Sequence, residues 1–281
     1  MSERRVAVED RGAWWSATAA PHPALRGFLS AYVGYWEEGL VPRPMRTQPT
    51  RHTVLIINLG EPLRMLRLPD SRFDGTSYTS FIAGMNDGPG MYESPARQTG
   101  IQLDITPLGA YTLLGVPMHE LTNAAVDLVD LLGPRTEGFV TQLAETPDWG
   151  ERFDLLDELL LSRLDRGPSP APEVSRAWRL LYGSDGQIPV AELADEVGWS
   201  RKHLVERFRD QVGLTPKVMA RVLRFHRAMD LMMHGMPNWV DIALTSGYYD
   251  QAHMNREFRV LSGLTPTELL ADRHAHYDAA G

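Results

Sequence analysis

Residues 193–216 read LADEVGWSRKHLVERFRDQVGLTP, and residues 242–266 read IALTSGYYDQAHMNREFRVLSGLTP. The two stretches align. Leu193-Ala194 falls on Ile242-Ala243 and Gly198 on Gly247 at an offset of 49; His203 then falls on His253, Phe208 on Phe258 and Gly213-Leu214-Thr215-Pro216 on Gly263-Leu264-Thr265-Pro266 at an offset of 50. The second copy thus carries one extra residue after its first glycine, in a turn, where insertions are tolerated.

Each copy reads as two helices joined by a tight turn. Leu193 or Ile242 faces inward, and the small Ala194 or Ala243 lets a second helix pass close. Gly198 or Gly247 ends the first helix, because glycine accepts the positive φ of a helix C-terminus. Ser200 and Asp250 are placed to cap the following helix by accepting from its free N–H groups. Leu204 with Phe208, and Met254 with Phe258, sit four apart on one buried face. Thr215-Pro216 and Thr265-Pro266 put a capping hydroxyl before a proline suited to the first helical position, so each starts a further helix. The spacing predicts helix-turn-helix units over about 188–212 and 238–262.

Lys217–His234 lie between the units without Gly or Pro, with apolar residues at 218, 219, 222, 225, 229, 232 and 233. This is a helical stripe spanning roughly 27 Å. A stiff connector of that length would hold the units about one DNA turn apart, roughly 34 Å.

Upstream, Asp165-Arg166-Gly167-Pro168-Ser169-Pro170-Ala171-Pro172 cannot continue a helix and reads as a linker. The expected organisation is a first domain over 1–166, a linker over 167–172 and a second domain over 173–281. The whole chain of 281 residues carries a formal charge of −8. That charge alone argues against nucleic acid, but it is unevenly spread. Residues 1–166 hold 15 basic and 22 acidic side chains, whereas Trp199–Arg227 holds eight basic and two acidic ones, a local balance of +6.

The first domain reads as strands at Thr53–Leu59, Leu63–Leu68, Ser80–Ala83 and Ile101–Thr106, short runs separated by Gly, Pro and Asp. Helical spacing follows at Leu108–Leu114, Leu121–Leu132, Phe139–Ala144 and Trp149–Leu164. The expected class is α+β. Trp14, Trp15, Tyr32, Tyr35, Trp36, Phe81, Met85 and Tyr92 are candidates for an apolar pocket, with Arg51, His52 or Asn58 as anchors; aromatic residues in a small domain are also ordinary core.

Several chemistries are excluded or disfavoured. The chain has no cysteine, which rules out disulfides, thiolate-bound zinc, iron–sulfur clusters and thiol nucleophiles. No GxSxG, P-loop or GxGxxG occurs. The first domain offers only His22, His52 and His119, with no closely spaced pair, so a metal enzyme is the weaker alternative and neither metal nor cofactor is expected. His203 and His253 read as structural residues near the start of the second helix of each unit. Glu37 and Glu38, before Gly39, read as solvated. No apolar run approaches the roughly 20 residues of a membrane span, and the first 15 residues lack a signal-peptide core. A cytoplasmic protein is expected.

With these motifs in place, residues 174–270 resemble the DNA-binding domain of the AraC-type (AraC/XylS) transcriptional regulators. The resemblance rests on the two units, the joining helix and the doubled GLTP. It implies double-stranded DNA as partner and a sequence-specific regulator placing two recognition helices in successive major grooves. By position, Lys202, Val205 and Glu206 in the first unit, and Gln251, Asn255 and Arg256 in the second, would read bases. Lys and Arg suit guanine, Asn and Gln adenine, Glu cytosine, and Val a thymine methyl. Arg201, Arg207, Arg209, Lys217, Arg221, Arg224 and Arg259 are placed for phosphate. Glu206 can equally pair with Lys202. The resemblance further implies a small cupin-like β-barrel in the first domain, a small-molecule effector and a homodimer, with RNA polymerase as a partner in the case of an activator.

Overall fold

The computed structural model describes residues 6–278 except 11, 13, 40 and 237, with 273–278 described by their backbone. The ends of the expected domain ranges, 1–5 and 279–281, lie outside the described residues.

The first half is built on strands β1 (Ala7–Asp10), β2 (Trp14–Ala19), β3 (Leu29–Glu38), β4 (Arg43–Thr47), β5 (Thr53–Asn58), β6 (Leu63–Arg67), β7 (Ser77–Tyr78), β8 (Ser80–Ala83), β9 (Gly90–Ser94), β10 (Arg97–Ile105) and β11 (Ala125–Asp127). They form a seven-stranded sheet, β1-β2-β3-β10-β5-β8-β11, and a four-stranded sheet, β4-β9-β6-β7, with antiparallel neighbours. No closed barrel forms among the described residues. The cupin-like expectation therefore resolves into two sheets facing each other, and the α+β class holds.

The central strands of the large sheet are covered on both faces, while its edge strand β1 is exposed, and strand alternation decides what each residue meets. One face packs on helices α1 (Pro107–Leu114), α2 (Leu128–Leu132), α3 (Arg135–Glu145) and α4 (Trp149–Leu164). Ala17, Tyr32, Leu55, Ile57, Ile101 and Leu103 point there. Tyr32 stacks on Phe153 at 5.3 Å, and its hydroxyl donates to Asp157 Oδ1 at 2.7 Å. Asp157 also accepts from the backbone N–H of His22 at 2.9 Å, so this buried carboxylate is satisfied.

The other face looks across at the small sheet. Trp14, Tyr35, Val54, Ile56 and Phe81 from the large sheet meet Met45, Leu63, Met65 and Tyr92 from the small one around a cavity of about 780 Å³. The helix expected over Leu121–Leu132 is a correction: the segment is a 3-10 turn at Met118–Leu121, then β11, then the short α2. Asn123 interrupts it at φ 64°, a left-handed conformation that asparagine tolerates.

The second half is helical: α5 (Pro172–Gly183), α6 (Val190–Val197), α7 (Arg201–Val212), α8 (Pro216–Met233), α9 (Trp239–Thr245), α10 (Gln251–Ser262) and α11 (Pro266–Asp278). One core joins them, with Leu193, Leu204, Phe208, Phe225, Ile242, Met254 and Phe258 at 0–1 % exposure. Burying such a side chain contributes roughly 1.5–3 kcal/mol. Met85, a residue of the first half, is fully buried in this same cluster. The two halves therefore share packing.

Candidate nucleic-acid interface

Each unit is assembled by the chemistry legible in its sequence. In the first, the Ser200 hydroxyl accepts from His203 N at 3.3 Å and starts α7. In the second, Asp250 Oδ1 accepts from His253 N at 2.6 Å and starts α10. Gly198 and Gly247 turn the chain at φ 71° and 78°. The equivalent histidines have equivalent work: the His203 ring lies edge-on to Trp199 at 4.4 Å, and the His253 ring to Tyr248 at 5.4 Å. No group of three or more His, Asp or Glu side chains that could hold a metal occurs among the described residues.

With Leu204 and Phe208 inward, α7 presents Arg201, Lys202, Glu206 and Arg209 exposed and Val205 half-buried. Lys202 Nζ lies 3.9 Å from Glu206 Oε1, with both side chains well exposed, so the pair restrains little. On α10, Arg256 and Arg259 are exposed, while Gln251 and Asn255 are half-buried beside them. The extra residue of the second turn puts Tyr249 at 87 % exposure just before α10, a side chain the sequence reading missed. Its signal was the Tyr248-Tyr249 pair: one ring buried, its neighbour facing out.

The cations of the +6 window divide into two groups. Arg201, Arg209 and Lys217 make no ion pair or hydrogen bond through their side chains among the described residues, and Arg207 lies 3.6 Å from Asp210 on its own helix. The arginines along α8 are committed inside the domain. Arg221 Nε donates to Glu257 Oε2 at 2.7 Å, tying the connector to α10. Arg224 Nη1 donates to the Gly186 carbonyl at 2.9 Å, its guanidinium 5.9 Å from the centre of the Tyr248 ring. Arg227 lies 3.6 Å from Asp185. The structure thus sets Arg221 and Arg224 apart from the other phosphate candidates: they position α10 and the turn before it. Burial, the largest influence, holds the Tyr248 hydroxyl well above its ordinary range.

The first half grips this domain at repeated points. Gly213 and Gly263 close α7 and α10 at equivalent places in the two units. A Cβ on Gly213 would lie 3.2 Å from the Met118 carbonyl oxygen, and Thr122 Oγ1 donates to the Gly213 carbonyl at 2.8 Å. A Cβ on Gly263 would lie 3.0 Å from Arg46 Nη1, which is itself 3.5 Å from the Ser262 carbonyl oxygen. Between these corners, His226 on α8 bonds Pro49, and Arg51 lies 3.6 Å from Asp230.

The gripping segments are also walls of the cavity. Met45, Thr47 and Thr50 line it while Arg46, Pro49 and Arg51 face the helices; Gly84 and Asn86 line it while Met85 enters the helical core. Asn123 secures the Met85 loop, exchanging hydrogen bonds of 2.9–3.1 Å with Asp87 and with the Met85 carbonyl.

Sequence comparison agrees with the helix-turn-helix units. Residues 193–272 match a helix-turn-helix domain family, and residues 17–127 match a domain family of unknown function, DUF6597. An uncharacterized HTH-type transcriptional regulator of Bacillus subtilis (strain 168), YbfI, is 30% identical over 143 residues, covering 48% of this chain and 49% of YbfI. An uncharacterized HTH-type transcriptional regulator of Staphylococcus aureus (strain MSSA476) is 28% identical over 88 residues, 31% of this chain and 12% of that protein. The matches thus span half or less of these relatives' length. Among solved structures, ToxT from Vibrio cholerae (P21 form) superposes with a TM-score of 0.49 at 11% identity, over 85% of this chain and 97% of ToxT. A transcriptional regulator with an AraC-type DNA-binding domain from Chromobacterium violaceum superposes with a TM-score of 0.34 at 27% identity, over 36% of this chain and 92% of its own. The doubled unit thus lies within the stretch, residues 193–272, that matches the helix-turn-helix domain family.

Proposed function

We propose that the chain is a sequence-specific DNA-binding transcriptional regulator that sets α7 and α10 into successive major grooves. One observation carries the reading: two capped helices, repeated in one chain, each turn a polar and cationic face outward while the opposite face is buried. Lys202, Val205 and Glu206 are assigned to base edges from α7, and Gln251, Asn255 and Arg256 from α10. Phosphate contacts fall to Arg201, Arg207, Arg209, Lys217 and Arg259. Arg221 and Arg224 act one step back, by holding α10 and the second turn.

In this reading the first half senses a small molecule in the cavity between its sheets and passes the event to the helical domain through the shared walls. The protein works in the cytoplasm; no helix among the described residues is long and apolar enough to cross a membrane. A homodimer and contact with RNA polymerase at activated promoters complete the proposal. Fluorescence anisotropy of the full chain on duplexes from the intergenic region beside its own gene tests it. Nanomolar binding that weakens steeply with salt and exceeds binding to scrambled duplex is expected. Equal, weak binding to both sequences would overturn it.

A further inference from the structure

We propose that the cavity between the two sheets binds a hydrophobic organic cation, whose apolar body lies along Val33, Ile56 and Met65 and whose positive charge sits at Glu37 among the rings of Trp14, Tyr35 and Tyr92. The inference rests on the reading of the first half as an effector-sensing domain, and it supplies the chemical class of the effector.

The volume of about 780 Å³ lies within the range of small-molecule sites, and the lining is mostly apolar. Two charged residues line it, Glu37 and Arg43. Strand alternation separates Glu37 from its neighbour: Glu38, on the opposite face of β3, accepts from Arg97 Nη2 at 2.7 Å, whereas Glu37 follows Val33 and Tyr35 into the cavity. The Glu37 carboxylate makes no hydrogen bond or ion pair among the described residues, and Arg43 does not come within ion-pair distance of it. Burial pushes its carboxyl above the usual range, which marks the absence of a compensating charge.

The aromatic rings beside it fit a cation. Tyr35 and Tyr92 are half-buried beside each other and beside Glu37, and desolvation is the main influence raising both phenols. Gly100 makes room for the first ring, since a Cβ there would lie 2.7 Å from the Tyr35 hydroxyl oxygen. Ring faces are electronegative and attract a desolvated cation, the more so with a carboxylate behind them. A carboxylate held in a mainly apolar chamber is costly until a positive group compensates it. An anion entering the same end would meet Glu37 and two ring faces, against Arg43 alone.

The test uses the full chain without DNA and three probes of similar shape: tetraphenylphosphonium, tetraphenylborate and neutral triphenylphosphine oxide. Binding is followed by tryptophan fluorescence, which Trp14 reports, and by titration calorimetry. Tetraphenylphosphonium is expected to bind at least about tenfold more tightly than tetraphenylborate. Glu37→Gln should lower phosphonium affinity by at least about tenfold and leave the neutral probe unchanged, whereas Arg43→Met should leave phosphonium affinity intact or raised. Borate binding as tight as phosphonium binding would overturn the proposal, and so would full phosphonium affinity in a folded Glu37→Gln variant. The charge comparison on the wild-type chain stands if that variant does not fold. Because DNA is absent, loss of the DNA-binding reading leaves this result untouched. Phosphonium binding that shifts no DNA affinity would support the ligand class and remove the sensing role.

Discussion

His226 Nε2 donates a 2.8 Å hydrogen bond to the carbonyl oxygen of Pro49, joining the middle of the connector helix to the loop that leads into β5. Burial is the main reason the His226 pKa is pushed down to about 4; the bond to Pro49 and the Asp230 carboxylate act the other way, while Arg51 and His52 add to the depression. His52 is itself lowered, again chiefly by burial. Between about pH 6.5 and 4 the released histidine takes up a proton that the docked one refuses, so docking is fully favoured above that window and weakens as pH falls through it. At pH 5 the loss is about 2 kcal/mol. Hydrogen exchange of residues 48–53 and 222–230, corrected for intrinsic rates, should show falling protection between pH 7 and 5. Replacing His226 by Gln should flatten that dependence, and constant wild-type protection would refute the assignment.

Arg256→Ala tests base reading. On the preferred site it should cost about 1–3 kcal/mol, and on scrambled duplex almost nothing. Competition anisotropy separates the two quantities. An equal loss on both sequences would make Arg256 a phosphate contact.

The division among the cations of α8 predicts opposite behaviour for two neighbours. Lys217→Ala should weaken binding to all sequences and reduce the salt slope by about 1. Arg221→Met should leave the slope alone and destabilise the fold by about 2 kcal/mol, because it strips a charged partner from the half-buried Glu257. Salt titrations and thermal melts of both variants decide between these roles. A lowered slope with an unchanged melt for Arg221→Met would return Arg221 to the phosphate group.

Met85→Ala should cost about 2–5 kcal/mol, the usual range for emptying a packed methionine site. Since Met85 comes from the first half and fills the core of the second, the loss should appear as uncoupling. Limited proteolysis is expected to cut within 167–172 faster than in the wild type. Unchanged cleavage together with an unchanged melt would show that the shared packing contributes little.

How far the sequence was readable depended on how local the signal was. The helical half was legible because caps, glycine turns and the i, i+4 pairs Leu204/Phe208 and Met254/Phe258 are all determined within a dozen residues. The sheets were half legible. Thr53–Asn58 announces a strand by β-branched residues, but Arg43–Thr47 contains a proline and Leu29–Glu38 a central glycine, so neither reads as one. The aromatic list for a pocket divides in two because Trp14 and Trp15 are adjacent, as are Tyr35 and Trp36, and adjacent strand residues face opposite ways. Trp14, Tyr35, Phe81 and Tyr92 line the cavity, whereas Trp15 meets Trp149 and Tyr32 meets Phe153. Of the proposed anchors, Arg51 and His52 lie near α8, and Asn58 is spent on its own turn, donating to the Glu61 carbonyl and accepting from Gly60 N. Glu37 reads as solvated in the sequence because nothing local shows that β3 extends through it.

The extra residue before α10 makes the two helix-turn-helix units unequal, with an exposed Tyr249 on one side only. A chain whose two reading heads differ has no twofold axis of its own. The stretch of duplex that one chain would occupy therefore has a front and a back, and reversing that stretch beside a promoter would turn the first half to the other flank of the gene. Orientation, as much as sequence, becomes something the bound chain can impose on its neighbours.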